Sequence, residues 1–248
     1  MSDWKFQNER SAQNERWMNG GASDLETFGQ PTAAESSLSE RLGFIRKVYA
    51  LFFVATLFAV GGVAAGFAFP EFVFSVFGRP LVAILVLFGG VFAAQAVRHV
   101  RGLNLLALFG FTTLTGLVIS PAMMYYAMTN PGSILQAGVL TVAIFGGLTA
   151  YVFVTKRDFS FLRGLLFTGL IMVVVGGLLN VFLIGSSAMG FAIAAMALLL
   201  FSGYVLYDTS NIIRRYPTNE YIAGALSLYL DAFNIFLALL RLLNAGRR

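Results

Sequence analysis

Two carboxylates stand where apolar sequence should exclude them. Asp208 follows a run that is almost wholly apolar from Ala188 to Tyr207, and Asp231 falls inside another, Tyr221 to Leu243. A carboxylate at the centre of a membrane helix costs about 2.5–3.5 kcal/mol on insertion scales, so such residues face the bundle interior or a water cavity and take partners. The spacing makes these two partners of each other. Tyr216-Pro217-Thr218-Asn219 reads as a turn between two helices, with Pro and Asn as breakers. Asp208 lies eight residues before Tyr216, about 12 Å along a helix. Asp231 lies twelve residues after Asn219, about 18 Å down the return helix. The depths differ by about one turn, so the side chains can meet with modest tilt. Two carboxylates in a low-dielectric site cannot both ionise easily, and they share one proton. That chemistry is a pH switch or a proton-coupled ion site. Arg98 is the nearest cation on the same side. If it reaches the pair it stabilises the ionised form. Tyr207 and Asn234 are the supporting polar groups.

The elements that must hold this pair are membrane helices. Of 248 residues, 58% are hydrophobic and 12% charged, with 26 glycines besides. A soluble domain carries roughly 25% charged residues. Twenty-nine charged side chains cannot cover so much apolar surface in water, so the natural solvent is lipid. An ordinary soluble enzyme and a disordered chain are excluded. The net charge of +5 sits in short loops, which suits membrane orientation and not nucleic-acid binding. The chain has no Cys and one His, His99, so a Cys-ligated metal or a site with two His ligands is impossible. No cofactor or resident metal is expected.

Seven spans are predicted: Val48–Phe69, Leu81–Val97, Leu103–Met128, Ile134–Val154, Leu162–Ile184, Ala188–Tyr207 and Tyr221–Leu243. Pro121 should kink or end the third. The sixth should continue as helix to Arg215. Ten Lys/Arg fall on one side of these spans, among them Arg41, Lys47, Arg101, Lys156 and Arg214, against Arg79 on the other. That places the N-terminus in the cytoplasm. Arg247 and Arg248 conflict with a full seventh crossing, so this helix either crosses as a polar central one or is re-entrant. Residues 1–37 read as a disordered cytoplasmic tail and 38–248 as the membrane domain, whose first helix starts at a capping box, Ser37 to Glu40. Glycines such as Gly61-Gly62, Gly89-Gly90, Gly116 and Gly146-Gly147 suit close helix packing, or bending during gating.

Tyr207-Asp208, the run Ala225-Leu226-Ser227-Leu228-Tyr229-Leu230-Asp231, and the following Asn234, Phe236, Leu239-Leu240 and Arg241 resemble the Bax inhibitor-1 family. The weaker match extends from Leu38 to Leu243. The resemblance implies a seven-helix, all-α fold with the last helix central. It implies a pH-dependent leak of cations, Ca²⁺ above all, gated by Asp208 and Asp231, with Arg98 taking part. An acidic residue that some members carry within helix two has no counterpart between Leu81 and Val97. Eukaryotic members suppress cell death, and one bacterial branch modulates a membrane-bound protease. A bacterial inner membrane is the expected location, with lipid, Ca²⁺ and another membrane protein as expected partners.

Two other readings are weighed. A regulator of a membrane protease or translocon that transports nothing would keep the same helix bundle. An intramembrane aspartyl protease also pairs a Tyr-Asp with an Asp on the next helix, but it needs Gly-x-Gly-Asp, and Leu228-Tyr229-Leu230 precedes Asp231 here. The expectation is therefore no enzymatic activity.

Overall fold

The computed structural model of the protein describes residues 32–97, 100 and 102–245. Among them the only β pairing is an isolated bridge between Thr32 and Pro217, and nearly everything else is helix. We number the helices α1 (Leu38–Ala68), α2 (Pro70–Phe77), α3 (Pro80–Ala96), α4 (Leu103–Thr129), α5 (Pro131–Thr155), α6 (Arg163–Leu179), α7 (Ser187–Arg214) and α8 (Tyr221–Ala245).

Helix α1 starts where the capping box places it. The Ser37 Oγ accepts the Glu40 N–H at 3.3 Å, and the Glu40 carboxylate accepts the Ser37 N–H at 3.1 Å. It then runs 31 residues, about 46 Å, which exceeds the roughly 30 Å hydrocarbon core of a bilayer. Pro70 starts α2 and Pro80 starts α3, positions where a missing N–H costs nothing. The connection between the first two expected spans is thus partly helical, and α2 meets α3 at 89°. Among the described residues six helices are long and apolar enough to cross a membrane, or seven if the bent α2–α3 pair counts as one span.

Pro121 does not end α4. The carbonyl of Leu117, which would have accepted its missing N–H, instead accepts the Ser120 hydroxyl at 2.7 Å. Helix α6 closes with a π-turn, Asn180–Ile184, and Gly185 turns the chain at φ 66° before Ser186 caps α7. Helix α8 is uninterrupted over 25 residues.

Packing divides the glycines by face. Helices α1 and α4 approach backbone to backbone at Gly62 and Gly116. A Cβ at Gly116 would lie 2.0 Å from the Ala59 carbonyl oxygen, and one at Gly62 would lie 2.1 Å from that of Thr113. Gly61, Gly89, Gly146 and Gly147 meet nothing within 4 Å. Adjacent residues on a helix point about 100° apart, so Gly62 and Gly90 face a neighbouring helix where Gly61 and Gly89 do not, and at Gly146-Gly147 neither does. Large side chains such as Leu57, Val142 and Leu199 are exposed, which suits a lipid solvent.

Helix α8 packs on α7, α5 and α1 and touches α4. Fifty-six per cent of its most apolar stretch is buried, compared with 39% in α4 and 22% or less in the other candidate spans. At the start of α8, Lys47 of α1 stands over the Tyr221 ring, 5.4 Å from its centroid.

Candidate functional site

The turn between α7 and α8 fixes the depth of the site. Helix α7 ends at Arg214, and the chain turns through residues 215–220 before Tyr221 opens α8. Tyr216 closes the end of α7, its N–H donating to the Asn211 carbonyl at 3.0 Å. From this turn Asp208 lies back along α7 and Asp231 lies forward along α8.

The two carboxyl groups lie within hydrogen-bonding reach of each other. Asp231 is buried, 3% exposed, and Asp208 is half-buried. The Asp231 Oδ2 is buried without an N–H or O–H donor. Two bare carboxylates can only accept, so a bond between them requires a proton on one. No described Lys or Arg pairs with either group; the ion pair among the described residues is Arg215–Asp158. Arg98, expected near the pair, lies outside the described residues, as do His99 and Arg101.

The supporting residues divide. Asn234 donates to the Leu230 carbonyl at 2.8 Å, so its amide is engaged by its own helix and not by Asp231. Tyr207 is half-buried, edge-on to Tyr204 at 6.5 Å between ring centroids. Tyr204, which sequence reasoning passed over, lies within electrostatic reach of both carboxyls. It stands four residues before Asp208, one turn away on the same helix face, so spacing alone could have found it.

Two further groups extend the polar column toward the turn. Ser227 lies four residues before Asp231 on α8, and its hydroxyl meets the Tyr216 hydroxyl at 3.2 Å. Burial, with the nearby Asp208 charge adding, pushes the Tyr216 phenol up to about 12, so it stays protonated at any physiological pH. On the far side of α8, Tyr229 and Thr115 of α4 share a short hydroxyl–hydroxyl contact.

The turn is also tied from outside. Residues 32–37, the described part of the expected tail, dock here: the Ala33 N–H donates to the Tyr216 carbonyl at 3.0 Å, and Ala33 is fully buried. Arg215 reaches Asp158 in the α5–α6 loop at 2.8 Å and also donates to the Ser160 hydroxyl. Arg214 donates to the Lys156 carbonyl. The Ser160 N–H, then Arg215, hold the Asp158 carboxyl down to about 2. Lys47, Lys156, Arg214 and Arg215 therefore gather at one end of the bundle.

These features define a multi-pass helical membrane protein with an acidic pair, one member buried, between its last two helices. The model of the family described as inhibitor of apoptosis-promoting Bax1 matches residues 41–248. The chain is 34% identical over 215 residues to protein lifeguard 4 of Mus musculus, covering 86% of this chain and 89% of that one. It is 40% identical over 220 residues to an uncharacterised protein of Campylobacter jejuni, covering 85% and 92%. It is 35% identical over 222 residues to Bax inhibitor 1 of Schizosaccharomyces pombe, covering 85% and 79%. The chain belongs to the Bax inhibitor family.

Proposed function

We propose that the protein is a seven-span, pH-sensitive cation leak in a bacterial inner membrane, gated by the shared proton of Asp208 and Asp231. The observation that carries this reading is the meeting of two carboxyls from neighbouring helices with no described cation to neutralise them. Helix α8 is the polar central helix of seven, with the α2–α3 pair as the broken second span. The high burial of α8 supports that role. The basic end of the bundle faces the cytoplasm, which the gathering of Lys47, Lys156, Arg214 and Arg215 supports.

Ca²⁺ is the proposed ion. It takes six to eight oxygens when held firmly. Among the described residues no group of three or more acidic or histidine side chains is placed to hold a metal. Two carboxylates alone suit brief passage and not storage. Deprotonation leaves two negative charges that must separate or recruit a cation, and reprotonation restores the bond across α7 and α8. The gate is thus the α7–α8 contact, and its variable is one proton. The reading assigns no catalytic residue and no cofactor.

The test is Ca²⁺ flux into liposomes holding the pure protein, measured across pH. The wild type passes Ca²⁺ with a pH-dependent rate, and Asp208→Asn or Asp231→Asn flattens that dependence. Pure protein that passes no cation at any pH would instead favour a second reading, a regulator of another membrane protein. The names of the relatives, which speak of inhibition and not transport, favour that second reading.

A further inference from the structure

We propose that a cavity at the carboxyl end of α8 binds an anionic phospholipid, with Arg241 as the ligand of its phosphate. The cavity, about 800 Å³, lies at the opposite end of α8 from the Asp208–Asp231 turn. It is large enough for a headgroup and the first segments of its chains. One wall is apolar, made by Ile84 and Phe88 of α3 with Val174 and Leu178 of α6. Phe88 and Leu178 are themselves exposed, so this wall is continuous with the lipid-facing surface.

The rim of the cavity is polar. Tyr125, Asn180, Ser186 and Asn244 line it together with Arg241. Among the described residues Arg241 is the only charged one of the lining, and no described carboxylate shares the cavity with it. Among the described residues Arg241 has no ion pair and no hydrogen bond. Its neighbour Asn244, in contrast, is engaged twice: its Oδ1 accepts from Asn130 at 2.9 Å, and its amide donates to the Leu240 carbonyl at 2.7 Å.

The occupant follows from the pairing of these walls. A planar guanidinium without a described partner at a polar rim suits a multidentate oxyanion such as a phosphate, whose oxygens match its fork of donors. The first turn of α7 lies on the same rim and adds partial positive charge. A free phosphate would leave the apolar wall bare. An anionic phospholipid satisfies both, with its headgroup on Arg241 and its chains along α3 and α6.

The experiment is native mass spectrometry of the full-length protein in detergent. It is offered dioleoyl phosphatidylglycerol or dioleoyl phosphatidylcholine. One phosphatidylglycerol per chain should be retained, about tenfold in preference to phosphatidylcholine. Arg241→Gln should abolish that preference, and Arg163→Gln, at the other end of the bundle, should leave it unchanged. Gly177 lines the cavity and meets nothing within 4 Å, so Gly177→Phe fills the apolar wall with Arg241 still in place. It should expel the lipid too, and it decides the matter if Arg241→Gln does not fold. Equal retention of the two lipids by the wild type would overturn the proposal. So would undiminished preference in either cavity variant. Inorganic phosphate binding that survives Gly177→Phe would mark a free-anion site and overturn the lipid assignment.

Discussion

At the scale of single residues, the molecule rests on contacts that tolerate no added atom and on buried hydroxyls that must be matched. Gly116→Ala forces α1 and α4 apart, because the new Cβ would sit 2.0 Å from a backbone oxygen that cannot rotate away. A destabilisation of about 1–3 kcal/mol is expected, read as a lower midpoint of thermal unfolding in detergent. Gly146→Ala meets open space and should leave the midpoint unchanged or slightly raised. The Thr115–Tyr229 contact supplies a second comparison. Thr115→Val strands a buried phenol and should cost about 1–3 kcal/mol. Adding Tyr229→Phe removes the stranded group and should recover part of that loss. Of this residue scale, the acidic pair was legible in the sequence, because a charge inside an apolar run is conspicuous and the turn beside it sets both depths. The face of each glycine was not legible. Gly61 and Gly62 are identical in type, and only the position of α4 decides which of them packs.

At the scale of elements, the turn between α7 and α8 is held by two straps of different character. The first is residues 32–37, through the Ala33–Tyr216 bond and the burial of Ala33. Ala33→Trp cannot occupy that space and should release the strap, seen as faster exchange of the residue-33 amide, the donor to the Tyr216 carbonyl. The second is the Arg215–Asp158 clasp. The Asp158 carboxyl is held down to about 2, so the clasp is intact above the ordinary carboxylate range and is lost only as pH falls toward 2. Both partners are substantially exposed, so its contribution to stability is small. The clasp is therefore not a sensor near neutral pH, and Asp158→Asn should leave the pH profile of flux in place. The elements were mostly legible. The Ser37–Glu40 box marked the start of α1, and the apolar runs marked the long helices. The bend between α2 and α3 was not, because residues 70–80 fall between two expected spans, and there Pro70 and Pro80 each open a helix. The strap at residues 32–37 was hidden by a polar composition that carries no periodic signal.

At the scale of the whole molecule, the bundle has two chemically distinct ends joined by α8. One gathers basic side chains and holds the acidic pair behind the turn. The other opens a cavity whose one charge among the described residues is Arg241. The family, the helical class and the membrane setting were all legible, since composition and the motif around Asp231 carry them. The number of crossings was not, because α3 alone has 17 residues and its role depends on how α2 joins it. The docking of the two acids is what turns this scaffold into a proposed gate. The most direct test is the pH profile of Ca²⁺ flux through the pure protein in liposomes, compared with Asp208→Asn and Asp231→Asn. The account predicts a sloping profile for the wild type and a flat one for each variant. A slope that persists unchanged in both variants would contradict it.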